Sequence, residues 1–299
     1  MSVFSEISIL YNPNSTGNAE QQARDLQTLL LRSLPDTQLQ LLPTKYAGHA
    51  EELAYAAAKK AQVGSTPLIV SASGDGGYSE VINGALRAQA EGAQPVCAVL
   101  ASGNANDHAR TMQHLPLDQL IGQADIKQLD VLQVSMTDSS GLTVTSYAHS
   151  YIGLGLTPTV AVELNKHSLN SIRESLIVVK TFWNLRPLKL EVQNKILRVD
   201  SLICSIIPEM AKVITLSNVA SARDGKFELT VLLHSTKRQL FLRLLRGVVF
   251  HMDAPSQAKD YNCRLVQAAP IQLDGEVKQL TAGTDLSISL CPGLLWTLV

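Results

Sequence analysis

With 299 residues, of which 45% are hydrophobic and 18 are glycine, the chain can bury two substantial cores, and this composition excludes a disordered or low-complexity protein. Lys and Arg total 25 against 26 Asp and Glu, a formal net charge of -1, so no overall field draws the protein onto nucleic acid and any basic patch is local. Four scattered cysteines without a CxxC pair are expected as buried thiols in a reducing, cytoplasmic setting, and the seven histidines show no metal-ligand spacing.

In chain order, short apolar runs alternate with helical stretches up to about residue 120, the pattern of a parallel sheet covered by helices. It predicts a strand over 7–11, a helix over 19–34, a strand over 39–42, an alanine-rich helix over 50–63 and a strand over 68–72. A glycine turn over 74–77, a helix over 79–90, a strand over 96–100, a turn around Gly103 and a helix from Asn106 follow. From about residue 129 the texture is β-type, with runs over 131–136, 142–149, 188–192, 196–207, 227–233 and 287–290. Residues 138–141 read as a hairpin connection, and 172–185 and 237–250 as helical insertions. The expected organisation is an α/β domain over 1–128 and a β-rich domain over 129–299. The chain reaches Glu6, Asn12 and Asn14 before any apolar run of signal-peptide length, and no stretch of about 18 uncharged apolar residues occurs, so no transmembrane segment is expected.

Three polar, glycine-bearing turns end N-terminal strands: NPNSTG over 12–17, SGDGG over 73–77 and SGNAND over 102–107. Each has an ordinary reading, as a β-turn or as a helix cap by Asn106 or Asp107. Taken together they predict a crevice, because ligands in open α/β sheets bind outside the carboxyl ends of the strands. A glycine turn that opens a helix aims backbone N–H groups at an anion and lets phosphate come close. No GxxxxGK[ST] occurs, and Ser79 stands where a Rossmann fingerprint has its third glycine, so neither of those phosphate loops applies.

NPNSTG, SGDGGYSEVINGAL and SGNANDHAR resemble, in this order, the NPxSG, GGDGTxxEVxNGL and GTxNDFAR signatures of the lipid kinase superfamily that contains diacylglycerol, sphingosine and ceramide kinases. The resemblance continues through Asp130, Gly153, Gly155, Asp224-Gly225 and Asp274-Gly275-Glu276, and so covers essentially the whole chain. It implies a phosphofructokinase-like α/β nucleotide domain with a parallel sheet, a β-sandwich-like C-terminal domain, and ATP with Mg²⁺ in a cleft between them. Carried over residue by residue, Asn12, Ser15, Gly17, Thr44, Ser73, Gly74, Asp75, Gly76, Gly77, Glu80, Gly103, Asn104, Asn106 and Asp107 contact or shape the nucleotide site. Asp274, Glu276 and Asp75 are the catalytic carboxylates, with Asp274 expected to take the proton of the acceptor hydroxyl.

The implied activity is transfer of the γ-phosphoryl group of ATP to diacylglycerol or a related lipid, at a membrane surface, by a cytoplasmic, peripherally attached enzyme. A sphingoid-base kinase and a catalytically weakened nucleotide-binding regulatory protein are the alternatives. A homodimer stays open, and NAD kinase, which shares a GGDG-type turn, leaves the NPxSG-like and 102–110 segments unexplained. Ser73 replaces the first glycine and Gly77 the threonine of GGDGT, Asn104 replaces the threonine of GTxND, and His108 its aromatic residue. Two phosphate-facing hydroxyls are thereby lost, although backbone amides still cradle phosphate. In bacterial-type relatives a structural magnesium sits near a DDGxL segment. Here Asp224 matches one aspartate, Ser221 stands where the other is expected, and Lys226 would supply a carbonyl; a plain hairpin turn at Asp224-Gly225 is the competing reading. The stretch 237–250 mixes basic and large apolar residues, which suits either a helix on an anionic bilayer or a core helix with snorkelling arginines.

Overall fold

The computed structural model describes residues 3–15, 17–61, 64–165, 182–210, 214–217, 220–249 and 256–299. Two compact units emerge, one formed by Met1–Val131 with Pro292–Val299 and the other by Leu132–Cys291. The expectation that everything after residue 128 forms the second domain is therefore corrected. Residues 292–299 return to the first unit, where Thr297 pairs in parallel with Cys97 and Leu298 enters the core. An apolar run announces a strand but carries no information about which sheet it joins.

In the first unit, β1 (Glu6–Tyr11), β2 (Gln38–Pro43), β3 (Leu68–Ser73) and β4 (Val96–Ala101) lie side by side in the order β2-β1-β3-β4, all parallel. Every residue of β1 and β3 is buried, as expected for central parallel strands covered on both faces. The helices between them are α1 (Ala19–Ser33), α2 (His49–Lys60) and α3 (Asp75–Ala90), followed by α4 (Asp107–Met112) and an unanticipated short α5 (Leu117–Gln123). Ala23, Leu26 and Leu30 of α1 pack with Ile7, Ile9, Leu68 and Val70. The alanines of α2 let it approach α3 until a Cβ on Gly84 would overlap the carbonyl oxygen of Glu51.

One expected boundary moves. Gly76 and Gly77 do not form a turn ahead of the helix but lie in the first turn of α3, with Gly74 as its extended N-cap and Tyr78 N donating to Gly74 O at 3.1 Å. Glycine's poor helix propensity matters little at this position, because the leading amides of a helix have no intrahelical partner to lose.

The chain crosses into the second unit within β5 (Ile126–Thr137), which forms a hairpin with β6 (Thr143–Ala148). The connection is the one expected: Asp138 Oδ1 accepts the amides of Ser140 and Leu142 at 2.8 and 3.1 Å, and Gly141 adopts φ 88°. There follow β7 (Tyr151–Gly155), α6 (Leu156–Asn165), β8 (Leu188–Val192), β9 (Lys195–Ser205), the two-residue strands β10 (Glu209–Met210) and β11 (Ile214–Thr215), and β12 (Phe227–Leu233). Then come α7 (Lys237–Val249), β13 (Ser256–Ala258), β14 (Asp260–Leu265), β15 (Ala269–Leu273), β16 (Glu276–Leu280) and β17 (Asp285–Leu298).

The main sheet of this unit runs β16-β15-β7-β9-β8-β14-β17 with every pairing antiparallel, and β12 adds to β9 in the same sense. An α/β unit with parallel strands and an antiparallel sheet unit are thus the two halves expected. The insertion expected over 172–185 lies outside the described residues except for its end at 182–185. Cys97, Cys204 and Cys263 are buried free thiols, and burial pushes the Cys97 and Cys263 thiols up to about 12. Among the described residues no helix is long and apolar enough to cross a membrane.

Candidate active site

In the first unit the three glycine-bearing turns meet backbone to backbone. Ser102 N donates to Ser73 O at 2.9 Å, and Ser15 Oγ donates to Ser102 O at 2.7 Å. A Cβ on Gly103 would overlap Gly74 Cα, and one on Gly17 would overlap the Ser102 carbonyl. Glycine is required at these two positions by close approach. Asn12 shapes its own turn, with Oδ1 accepting Asn14 N at 2.9 Å and its carbonyl accepting Ser15 N at 3.0 Å, while Thr16 lies outside the described residues. Thr44 is set beside this edge by its amide, which donates to Tyr11 O at 2.8 Å.

Asp75 ties two of the turns together. Its Oδ2 accepts Asp107 N at 3.0 Å and its Oδ1 accepts His108 N at 3.1 Å. Those are the leading amides of α4, so the cap expected from Asn106 or Asp107 comes instead from a carboxylate on α3. Asn106, held in the left-handed region at φ 52°, uses its side chain to close its own turn, accepting from Gly103 N and donating to Gly103 O. Asp107 is buried and ion-paired with Arg110 at 3.0 Å. Glu80, expected at the nucleotide, accepts Gly48 N and Ala50 N at 2.8 and 3.1 Å, supplying the cap that Gly48 cannot give α2.

What remains at the head of α3 is a partly exposed strip, 74–77, whose Gly74, Gly76 and Gly77 put no side chains over the helix amides. Such a strip attracts an anion through both N–H groups and the helix dipole. Asn104 is exposed at the tip of its turn. His108 is buried with its ring 5.3 Å from that of Tyr78, so the imidazole fills the place of the aromatic residue it replaces.

Ser73 and Gly77 explain each other. A Cβ at position 77 would lie 2.6 Å from Ser73 Oγ and 2.7 Å from Ser73 Cβ. The serine side chain therefore stands where a threonine at 77 would begin, its hydroxyl donating to Gly74 O at 3.0 Å and lying 2.7 Å from Ser71 Oγ. Gly77→Thr alone is expected to cost about 1–3 kcal/mol through overpacking, and adding Ser73→Gly should recover most of it. Thermal unfolding of the two single variants and the double variant measures this, and strictly additive effects would refute the coupling.

In the second unit Asp274 occupies the β15–β16 turn at φ 52° and is fully buried. Its Oδ1 accepts Ser150 N and Tyr151 N at 2.9 and 3.0 Å, and its Oδ2 accepts His149 N at 3.0 Å. His149 Nε2 lies 3.3 Å from the same Oδ2, and Asp274 N donates to Tyr151 O at 2.9 Å. The residue expected to take a proton from the acceptor hydroxyl is thus a clasp between the β15–β16 turn and the link from β6 to β7. Glu276, two residues on, opens β16 and is partly exposed.

Other positions of the resemblance also have mechanical reasons. Gly155 sits at φ 84° against the Asp200 carbonyl, a Cβ on Gly153 would overlap Thr157 Oγ1, and Asp130 accepts Gly293 N at 2.8 Å within the first unit. Sequence reasoning gave no role to His149 and Ser150, whose amides hold Asp274; nothing in a local pattern marks a backbone donor.

The metal expectation at Ser221, Asp224 and Lys226 does not fit. All three residues are exposed, and Asp224 Oδ1 accepts Lys226 N at 3.1 Å beside Gly225 at φ 70°, a turn leading into β12. A magnesium ion needs several hard oxygen donors, and this segment offers one carboxylate already engaged. Among the described residues no cluster of three or more His, Cys, Asp or Glu side chains could hold a metal ion.

Residues 6–135 match the family model of the diacylglycerol kinase catalytic domain. A diacylglycerol kinase from Bacillus anthracis shares the fold, with TM-score 0.71 at 19% identity over 99% of this chain and 97% of that one. Yeast NADH kinase, solved with NADH, has TM-score 0.54 at 10% identity over 99% of this chain and 83% of that one. No curated protein gave a significant match. The match covers the segment that bears all three motifs, in agreement with the resemblance to the diacylglycerol and sphingosine kinase superfamily read from them.

Proposed function

We propose that this chain, with its kinase-type N-terminal segment, transfers the γ-phosphoryl group of ATP to the hydroxyl of diacylglycerol or a related membrane lipid. The observation that carries the reading is the Asp75 latch, which locks the 73–77 and 102–107 turns into one surface inside the matched segment. Phosphoryl transfer asks little covalent chemistry of a protein; it asks for held phosphates and compensated charge. The amides of 74–77 at the head of α3 hold phosphate oxygens, while the Ser73 hydroxyl stays within the fold, donating to Gly74 O at 3.0 Å. Mg²⁺ arriving with ATP supplies neutralisation of the phosphate charge when bound.

A carboxylate then receives the proton of the lipid hydroxyl. Asp274 is fully buried in the turn that presents Glu276, and Glu276 is partly exposed, which supports giving this role to Glu276. A cytoplasmic enzyme attached peripherally to the bilayer meets both its substrates.

Incubation with radiolabelled ATP and a panel of lipids, read by thin-layer chromatography, tests the proposal. Label is expected in diacylglycerol. Label confined to sphingoid bases would change the acceptor, and ATP binding without any labelled lipid would sink the kinase reading in favour of the regulatory one.

A further inference from the structure

α7 carries apolar residues on two sides. Leu240 is fully buried in a core with Phe182, Leu185 and Leu232, whereas its neighbours Phe241 and Leu242 are 53% and 61% exposed. Trp183 is 57% exposed and belongs to the same patch, since the Phe182 ring meets those of Trp183 and Phe241 edge-on at 5.7 and 6.2 Å. A core helix hides such side chains and a water-facing helix replaces them with polar ones, so large apolar groups left outside mark a surface that is covered in use.

Charge says by what. The α7 sequence KRQLFLRLLRGVV holds four cations and no acid, in a chain whose formal net charge is -1. Arg238, exposed, shares a helix face with Phe241 and Leu242 at spacings of three and four residues. Lys237 Nζ stands 5.6 Å from the Phe182 ring centroid and donates to Leu185 O, and Arg243 Nη1 reaches Leu233 O at 3.4 Å next to another exposed leucine. Exposed aromatic and leucine tips rimmed by cations complement a layer of anionic headgroups over acyl chains.

We infer that α7 and the adjoining Phe182-Trp183 segment form a docking face for an anionic lipid bilayer, with Trp183, Phe241 and Leu242 entering the headgroup boundary and Lys237, Arg238 and Arg243 meeting lipid phosphates. The inference rests on the lipid kinase reading for its purpose and on the patch alone for its geometry.

The test uses the full chain and vesicles of phosphatidylcholine containing about one-third phosphatidylglycerol. The protein has two tryptophans, so Trp296→Phe leaves Trp183 as the reporter. Its emission should shift to the blue as vesicles are added, and salt should weaken binding. The double change Phe241→Ser and Leu242→Ser should lower the partition coefficient about tenfold or more, with phosphorylation of micelle-dispersed lipid unchanged. Arg238→Gln, a milder surface change, should weaken binding to anionic vesicles and leave the slight affinity for neutral ones as it was.

An unshifted Trp183 emission, or variants that bind as well as the parent, would overturn the docking face whether or not the chain phosphorylates lipid. A dimer in sedimentation that the double variant dissolves would give the face to a second copy instead. Intact vesicle binding without lipid phosphorylation would support the docking face and count against the kinase reading alone.

Discussion

Glu276→Gln is expected to lower turnover by about 10²- to 10⁴-fold while leaving ATP affinity and stability close to those of the parent, the scale of a lost general base. The expectation follows from where each carboxylate lies. Asp75 serves two α4 amides and Asp274 three amides of the β6–β7 link, so neither can turn toward a substrate hydroxyl without breaking its own contacts. Glu276 is partly exposed at the start of β16, and its glutamine variant keeps shape while removing proton affinity. Single-turnover assays at saturating ATP, with calorimetric titration of ATP alongside, separate chemistry from binding. Near-normal turnover in Glu276→Gln, together with collapse in Asp75→Asn at unchanged ATP affinity, would move the role to Asp75 and the acceptor toward sphingoid bases.

Asp274→Asn is expected to fail differently, by unfolding the second unit more readily. The buried carboxylate is an acceptor on both oxygens; an asparagine must turn an NH₂ group toward backbone N–H groups that also donate. Leaving one or two buried amides unsatisfied costs about 2–5 kcal/mol. His149 and Ser150 add to the strain, because the 2.7 Å contact between Ser150 Oγ and His149 Nδ1 belongs to the same buried cluster. Urea unfolding of the whole chain, followed by a probe in each unit, should show the second unit melting early while ATP still binds. A variant as stable as the parent but more than about 10²-fold slower would instead return the proton to Asp274.

Much of the first unit was legible because parallel strands buried on both faces write themselves as unbroken apolar runs: 68–72 expected against Leu68–Ser73 found. The turns were legible for the same reason, as glycine clusters at the ends of those runs. The partners of carboxylates were not. That Asp75 would cap α4 and Glu80 would cap α2 depends on close packing between turns and helices distant in sequence, which no window contains. In the second unit the strands β7 and β14 to β16 carry glycine, polar and charged residues and were missed, while Leu188–Val192 and Phe227–Leu233 were found with their bounds. At 221–226 a motif could name residue types only, and the types present serve a turn, with Asp224 Oδ1 accepting Lys226 N.

The return of residues 292–299 makes the first unit a host interrupted by a guest. Tyr78, four residues into α3, bonds through its hydroxyl to Thr297 at 3.0 Å, so the host cannot finish its core until the guest has been synthesised. A host split this way would ordinarily bear the entropy of closing a very long loop. The guest lightens that burden by clasping its own ends: Cys291 Sγ donates to Gln133 Oε1 at 3.2 Å, near both points where the chain enters and leaves it. Once the guest is folded, Gly293 is delivered to within a few residues of Asp130, its bonding partner in the host.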